Sequence, residues 1–194
     1  YQGKKAGVKN WTARPDIFPH GFERILSKTG WPIQAHNRYW SGDTVYAKQN
    51  GGKFDFLMDK ASQTALPVQQ EFWDFLFKQT RPWGMTVYEQ DWLDVQIDQF
   101  SPLTKNATLG RDWLMQMGRA AEANNLNIQY CMSYSRHIMS SLELAAVTQA
   151  RASTDYEPGL HNQWEQLGTT DLFAWSLGLA PSKDSFWSTS AQPG

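Results

Sequence analysis

The feature that most constrains this chain is an end-to-end alternation between segments of helical period and short apolar runs of strand length. Phe22, Ile25 and Leu26 share a helix face that stops at Thr29-Gly30, and residues 31–36 then read as a strand. A polar, glycine-rich stretch over residues 41–62 follows, expected to be a long excursion from the carboxyl edge of a sheet. Pro67 is expected to open a helix whose Val68, Phe72, Phe75 and Leu76 fall on one face, ended by Arg81-Pro82-Trp83-Gly84. A strand over 85–88 runs on to a polar end at Asp91. Leu109, Trp113, Met117, Ala120 and Ala121 mark the next helix face, which stops at Asn124-Asn125. Beyond it come a strand over 126–131, a helix around 138–144, a strand over 147–152, a helix over 167–179 and a last short strand over 185–188.

About five helix–strand units in series are the pattern of a parallel sheet with crossover helices. A closed (β/α)8 TIM barrel takes eight such units in typically about 250 residues. The 194 residues therefore read as an incomplete part of one α/β barrel domain, its remaining strands supplied by another segment or another chain. A content of 41% hydrophobic and 14% aromatic residues supports a packed core. The net charge of −1, without any Lys/Arg run, argues against nucleic acid or an anionic membrane as the partner. No stretch approaches the roughly 20 apolar residues of a membrane span. A start at Tyr1, without an initiator methionine or a signal stretch, reads as a processed or fragmentary polypeptide. Cys131 is alone, which excludes an intrachain disulfide and leaves the compartment undecided. Asn10-Trp11-Thr12 and Asn106-Ala107-Thr108 fit the N-glycosylation pattern and favour a secreted or lumenal location, although such tripeptides also arise by chance.

Two strand ends carry carboxylates: Asp91 closes Met85-Thr-Val-Tyr-Glu-Gln-Asp91, and Asp155 closes the run 147–155. Ligands of α/β folds bind beyond that edge. Hydrolysis of a glycoside with retention needs one carboxylate as nucleophile and one as acid/base, roughly 5–5.5 Å apart. A helix N-cap or a surface ion pair is the competing role for either aspartate. Glu89 and Asp94 crowd the first strand end, so the nucleophile within 89–94 stays open on pattern alone. His36, Tyr39 and Trp40 lie just past a strand end, where aromatic faces stack on pyranose rings and a histidine bonds a hydroxyl, or where the rings simply pack. Arg151 orients a carboxylate or substrate hydroxyl through its planar fork, or forms a structural salt bridge. Cys131 as a buried thiol is packing, and Asp184 contacts sugar or caps a loop. Trp73, Trp113 and Trp175 sit in helices and are expected in the core. His20, His36, His137 and His161 lack zinc-ligand spacing, and no phosphate loop, dinucleotide fingerprint or nucleophile elbow occurs. Catalysis without cofactor or metal is the simpler expectation.

These residues resemble a known family. Arg151-Ala-Ser-Thr-Asp155 is similar to the Arg-x-x-x-Asp segment of α-galactosidases in glycoside hydrolase families 27 and 36. Tyr130-Cys-Met-Ser133 with Ala146-Val-Thr-Gln-Ala-Arg-Ala-Ser-Thr-Asp155-Tyr156 is closer to the raffinose synthase and seed imbibition protein branch of family 36. Val87-Tyr-Glu-Gln-Asp91, Ala35-His-Asn-Arg-Tyr-Trp40 and Leu179-Ala-Pro-Ser-Lys-Asp184-Ser-Phe186 resemble further segments of that branch, in the same order along the chain. The resemblance implies a (β/α)8 barrel covered from about its second helix to its seventh strand. It further implies Asp91 as nucleophile, Asp155 as general acid/base, Cys131 at a sugar-contacting position, and retention at an α-galactosyl linkage, with hydrolysis or transfer to an acceptor sugar. Two departures stand out. Glu89 occupies the place of a lysine that binds sugar hydroxyls, where like-charge repulsion would raise the pKa of Asp91, and the paired aspartates of an early strand have no counterpart. They motivate the alternative of a non-catalytic glycan-binding or structural protein on a hydrolase-derived barrel.

Overall fold

The structure, a computed structural model, describes residues 3–152, 154–155 and 162–183. Helix α1 (Gly21–Thr29) leads into β1 (Ile33–Asn37), then β2 (Trp40–Ser41), β3 (Phe56–Asp59) and β4 (Thr64–Pro67), and helix α2 (Gln70–Thr80). Strand β5 (Met85–Gln90) is followed by three helices, α3 (Leu93–Gln99), α4 (Ser101–Lys105) and α5 (Leu109–Ala123). The chain continues through β6 (Asn127–Tyr130), α6 (Ser135–Ser140), β7 (Val147–Arg151), α7 (Gln163–Ser176) and β8 (Ala180–Ser182).

The main sheet has five strands in the order β1-β5-β6-β7-β8, and every neighbouring pair is parallel. That order follows the chain once the small antiparallel sheet β2-β4-β3 is set aside, as in an arc of a (β/α) barrel. Closure into eight strands is not seen among the described residues.

Several element ends follow from local chemistry. Gly30 (φ +68°) takes the left-handed conformation and donates its N–H to the carbonyl of Leu26, closing α1 where the Thr29-Gly30 pair was expected to stop it. Asn125 (φ +56°) ends the turn after α5 in the same way. Asn106 starts α5: its Oδ1 accepts the N–H groups of Thr108 (3.0 Å) and Leu109 (3.1 Å).

The structure corrects the expected elements at several places. The 41–62 excursion is not irregular, because Trp40–Ser41, Phe56–Asp59 and Thr64–Pro67 pair into a sheet of their own. Pro67 closes β4 opposite Phe56 rather than opening α2, which begins at Gln70. Helices α3 and α4 fill the stretch between Asp91 and Leu109, to which the sequence pattern assigned no element. The fifth parallel strand is Ala180–Ser182; the expected strand over 185–188 lies outside the described residues.

Packing separates the two faces of the sheet. Tyr88, Ile128, Tyr130 and Ala150 are buried beneath helices whose Phe72, Trp73, Leu76 and Phe77 (α2) and Trp113, Leu114, Met117 and Ala121 (α5) join them in one apolar core. Phe72 is its hub, with ring centroids 4.9–5.6 Å from those of Trp40, Tyr46, Phe54, Phe56 and Trp73. The opposite face carries Gln34, His36, Glu89, Gln129 and Gln149, brought into one polar band by the register His36↔Glu89↔Gln129↔Gln149. Gln34 Nε2 donates to Glu89 Oε2 (2.8 Å) and Gln129 Oε1 (3.1 Å) across three strands. Trp73 and Trp113 are in the core as expected, but Trp175 is 70% exposed, because nothing among the described residues packs on its side of α7. No helix among the described residues is long and apolar enough to cross a membrane.

Phe72→Ala is expected to cost about 3–5 kcal/mol, the usual loss for a buried phenylalanine, whereas Trp175→Ala stays within about 0.5 kcal/mol. Urea unfolding of the two variants checks this, and comparable losses would mean that Trp175 is covered in solution.

Candidate active site

Strand alternation decides which side chains meet at the carboxyl edge. His36 is in register with Glu89, so Asp91, two residues on, projects from the same polar face. His36 Nε2 lies 2.8 Å from Asp91 Oδ2. The other oxygen, Oδ1, accepts the Trp92 N–H at 2.8 Å, and the Cys131 thiol on the neighbouring strand donates to the same carboxylate. The Asp91 N–H is itself held by the carbonyl of Asn37 (2.8 Å). With its side chain only 10% exposed, Asp91 feels burial as the largest single influence, and burial raises its pKa. The hydrogen bonds from His36, Cys131 and Trp92, with the charge of His36, together outweigh it and hold the carboxyl below its ordinary 3.8. The repulsion expected from Glu89 does not prevail: that carboxylate turns to Gln34.

The backbone is strained beside this network. Trp92 (φ +52°) and Met132 (φ +47°) both occupy the left-handed region, one directly after Asp91 and the other directly after Cys131. Bulky residues there cost about 1–3 kcal/mol each, and such strain concentrates at functional sites. Neighbouring turns lock together through Asp94 N–H to the Met132 carbonyl (2.9 Å). The Trp92 ring lies beneath the Arg38 guanidinium (4.7 Å to the centroid) and against Tyr39 (5.6 Å between centroids). Sequence reasoning missed Trp92, since nothing in residue type or spacing marks a positive φ at a tryptophan.

Asp155 sits four residues beyond the end of β7. Arg151 Nη1 donates to its Oδ1 at 2.8 Å; the arginine side chain is buried, while that of Asp155 is 72% exposed. Gln163, at the start of α7, donates to the Asp155 carbonyl and fixes the loop. The two aspartates thus lie beyond β5 and β7, with β6 between them, and each holds its own basic partner, His36 for Asp91 and Arg151 for Asp155.

Of the other expected site residues, Tyr39 (4% exposed) and Trp40 (2%) take the packing role, Trp40 inside the cluster around Phe72. Cys131 is buried and bonded to Asp91. Asp184 lies outside the described residues. Asn10 and Asn106, the two expected glycosylation positions, are both exposed.

A cavity of about 490 Å3 opens beside the edge, where Asp94, Ser133, Arg151 and Thr154 meet Met132 and Phe173. Burial first, then the charges of Asp98 and Asp91, hold the Asp94 carboxyl above its ordinary 3.8, against the opposing Val95 N–H. Among the described residues, no three His, Cys, Asp or Glu side chains cluster closely enough to hold a metal ion.

No family model matches the sequence, and no curated protein matches it. Among solved structures, the chain is similar to an α-galactosidase from Thermus thermophilus, determined in complex with stachyose. The TM-score is 0.54 at 13% identity, over 95% of this chain and 46% of that one. At that identity the likeness is one of fold, and the chain spans under half the length of the enzyme it matches.

The pKa of Asp91 makes a pH prediction. Its folded value lies below the unfolded one of about 3.9, so its stabilising contribution is complete above about pH 4 and is lost as pH falls through the folded value. Removing a partner raises the folded value and shrinks that contribution. His36→Ala is therefore expected to move the midpoint of acid unfolding to higher pH, and Glu89→Gln to leave it in place, as followed by circular dichroism between pH 5 and 2.

Proposed function

We propose that this chain carries the reactive edge of a retaining α-glycosidase of the α-galactosidase kind, acting without a cofactor. The observation that supports this best is the Asp91 network. A carboxylate at the carboxyl edge of a parallel sheet is kept ionised and oriented by His36, Cys131 and the Trp92 amide, as a nucleophile requires. The fold shared with the Thermus thermophilus α-galactosidase and the Arg151–Asp155 segment favour the same reading.

In the first step an Asp91 oxygen attacks the anomeric carbon, the glycosidic C–O bond breaks, and Asp155 delivers its proton to the departing oxygen. In the second, Asp155 takes a proton from water, the hydroxide attacks the anomeric carbon, and Asp91 leaves. The sugar retains its configuration through two inversions. An acceptor sugar in place of that water gives transglycosylation by the same steps. Arg151 is the positioning group, because its buried guanidinium holds an otherwise exposed carboxylate in one orientation. Carbohydrate is the substrate class, and the strands that complete a barrel come from the rest of the same protein or from another chain. Secretion, with glycans on Asn10 and Asn106, belongs to the same proposal.

A second reading is favoured by a specific observation. Each aspartate is already bonded to a basic side chain, and the rings expected to stack on sugar are buried, as in a glycan-binding or structural protein on a hydrolase scaffold. Activity decides between the two. With an aryl α-galactoside and the complete protein, Asp91→Asn is expected to lower kcat/KM by about 10³-fold or more. Asp155→Asn should slow release of the sugar from the enzyme, with azide restoring turnover and giving an azide of retained configuration. Saturable sugar binding by calorimetry with no turnover in the wild-type protein would establish the binding reading instead.

A further inference from the structure

Next to Asp91 in the chain, on the opposite face of the sheet, lies a polar side chain to which the two-step reaction gives no part. Gln90 ends β5 and, by the alternation of the strand, shares a face with Tyr88 instead of joining Glu89 in the polar band. It is 1% exposed. A primary amide in such a place costs desolvation unless its hydrogens and its oxygen are bonded. Here all of them are. Oε1 accepts the Tyr88 hydroxyl (3.0 Å), whose oxygen in turn accepts Asn37 Nδ2 (2.7 Å). The two hydrogens of Nε2 go to the carbonyls of Arg38 (2.9 Å) and Asp91 (3.0 Å).

The bond to the Asp91 carbonyl has a consequence at the carboxylate. That carbonyl and the Trp92 N–H belong to one planar trans peptide, so they point in opposite directions and can only turn together. Gln90 grips the carbonyl side of the plane, and the N–H side donates to Asp91 Oδ1 at 2.8 Å. A hydrogen bond to a carbonyl also polarises the N–H of its peptide and strengthens the bond which that N–H makes. The same plane leads into Trp92, whose φ of +52° needs support from outside the residue. The Gln90 backbone completes the tie: its carbonyl accepts the Cys131 N–H (2.9 Å), while the Asp91 N–H goes to the Asn37 carbonyl (2.8 Å). The ends of β1, β5 and β6 are thereby held at the spacing from which His36, Asp91 and Cys131 meet.

We propose that Gln90 is the positioning residue for Asp91: from the far face of the sheet its amide orients the Asp91–Trp92 peptide, and through it the carboxylate that attacks the anomeric carbon. The consequence for catalysis rests on the glycosidase reading, whereas the orientation of the carboxylate does not. Asp91 is also faced by His36 from β1, the Cys131 thiol beyond β6 and the Asp94 carboxylate in α3, with Glu89 turned to Gln34. None of these side chains is among the partners of the Gln90 amide, so its loss acts on Asp91 through the peptide.

The test is Gln90→Met, of similar length but without donors, in the complete protein. Its readouts are the titration of the Asp91 carboxyl by carbon-13 NMR, and kcat and KM for an aryl α-galactoside. The Asp91 titration is expected to move to higher pH, because the Trp92 N–H that lowers its pKa is no longer aimed. kcat is expected to fall by about 10- to 100-fold with KM within about twofold of wild type, since misplacing a reacting group costs rate more than affinity. Met117→Val in α5, a change in the same core, measures what lost stability alone does and should move neither readout. An Asp91 titration that Gln90→Met leaves in place, or that Met117→Val moves as far, overturns the proposal, as does an unchanged kcat in an active enzyme. If the wild-type protein does not turn over the galactoside, the glycosidase reading fails and the titration alone decides the orienting role. If Gln90→Met does not fold, hydrogen exchange in the wild-type protein decides: slow exchange of both Gln90 Nε2 hydrogens and of the Trp92 N–H supports the role, and fast exchange of any of them overturns it.

Discussion

Everything at the carboxyl edge depends on the parallel register between β1 and β5. Side chains of a strand alternate between faces, so the pairing of His36 with Glu89 puts both on the polar face and carries Asp91 to the same side. A slip by one residue would turn His36 toward the helices and Asn37 toward the polar band, because the strand period is two. The apolar face resists that slip. Tyr88, Ile128 and Tyr130 lie under α2 and α5, where Asn37 Nδ2 donates to the Tyr88 hydroxyl (2.7 Å). The core that stabilises the sheet is therefore what aligns the site.

The two aspartates are held in opposite ways. Asp91 is enclosed, bonded through both oxygens, and followed by a tryptophan in a conformation that only surrounding structure can maintain. Asp155 is exposed and tethered at one oxygen by a buried arginine. The first arrangement suits the nucleophile of the proposed reaction, since orientation removes entropy from the reaction step. The second suits the acid/base of the proposed reaction, whose exchange of protons with a leaving oxygen and then with water needs access.

Much of the architecture was legible from pattern. The parallel strands β1, β5, β6 and β7, and helices α1, α2, α5 and α7, were all foreseen within a few residues, because each has a clear apolar period and most end at glycine, asparagine or proline signals. The antiparallel strands β2, β3 and β4 were not, since two to four residues in a polar, glycine-rich stretch are too few to show a period. Helices α3 and α4 escaped for the same reason of length, with Pro102 obscuring the second. Trp175 was expected inside because helical periodicity identifies an apolar face without saying whether anything covers it.

By itself, then, the sequence determined the alternating α/β plan and which strand ends carry carboxylates, because period and turn chemistry are local properties. Only the tertiary structure decided what those carboxylates touch. It joined His36, Asp91 and Cys131 from three neighbouring strands and their ends, turned Glu89 to Gln34, and withdrew Tyr39 and Trp40 from the surface. Each outcome depends on register and burial between segments far apart in the chain, and no local pattern encodes that proximity.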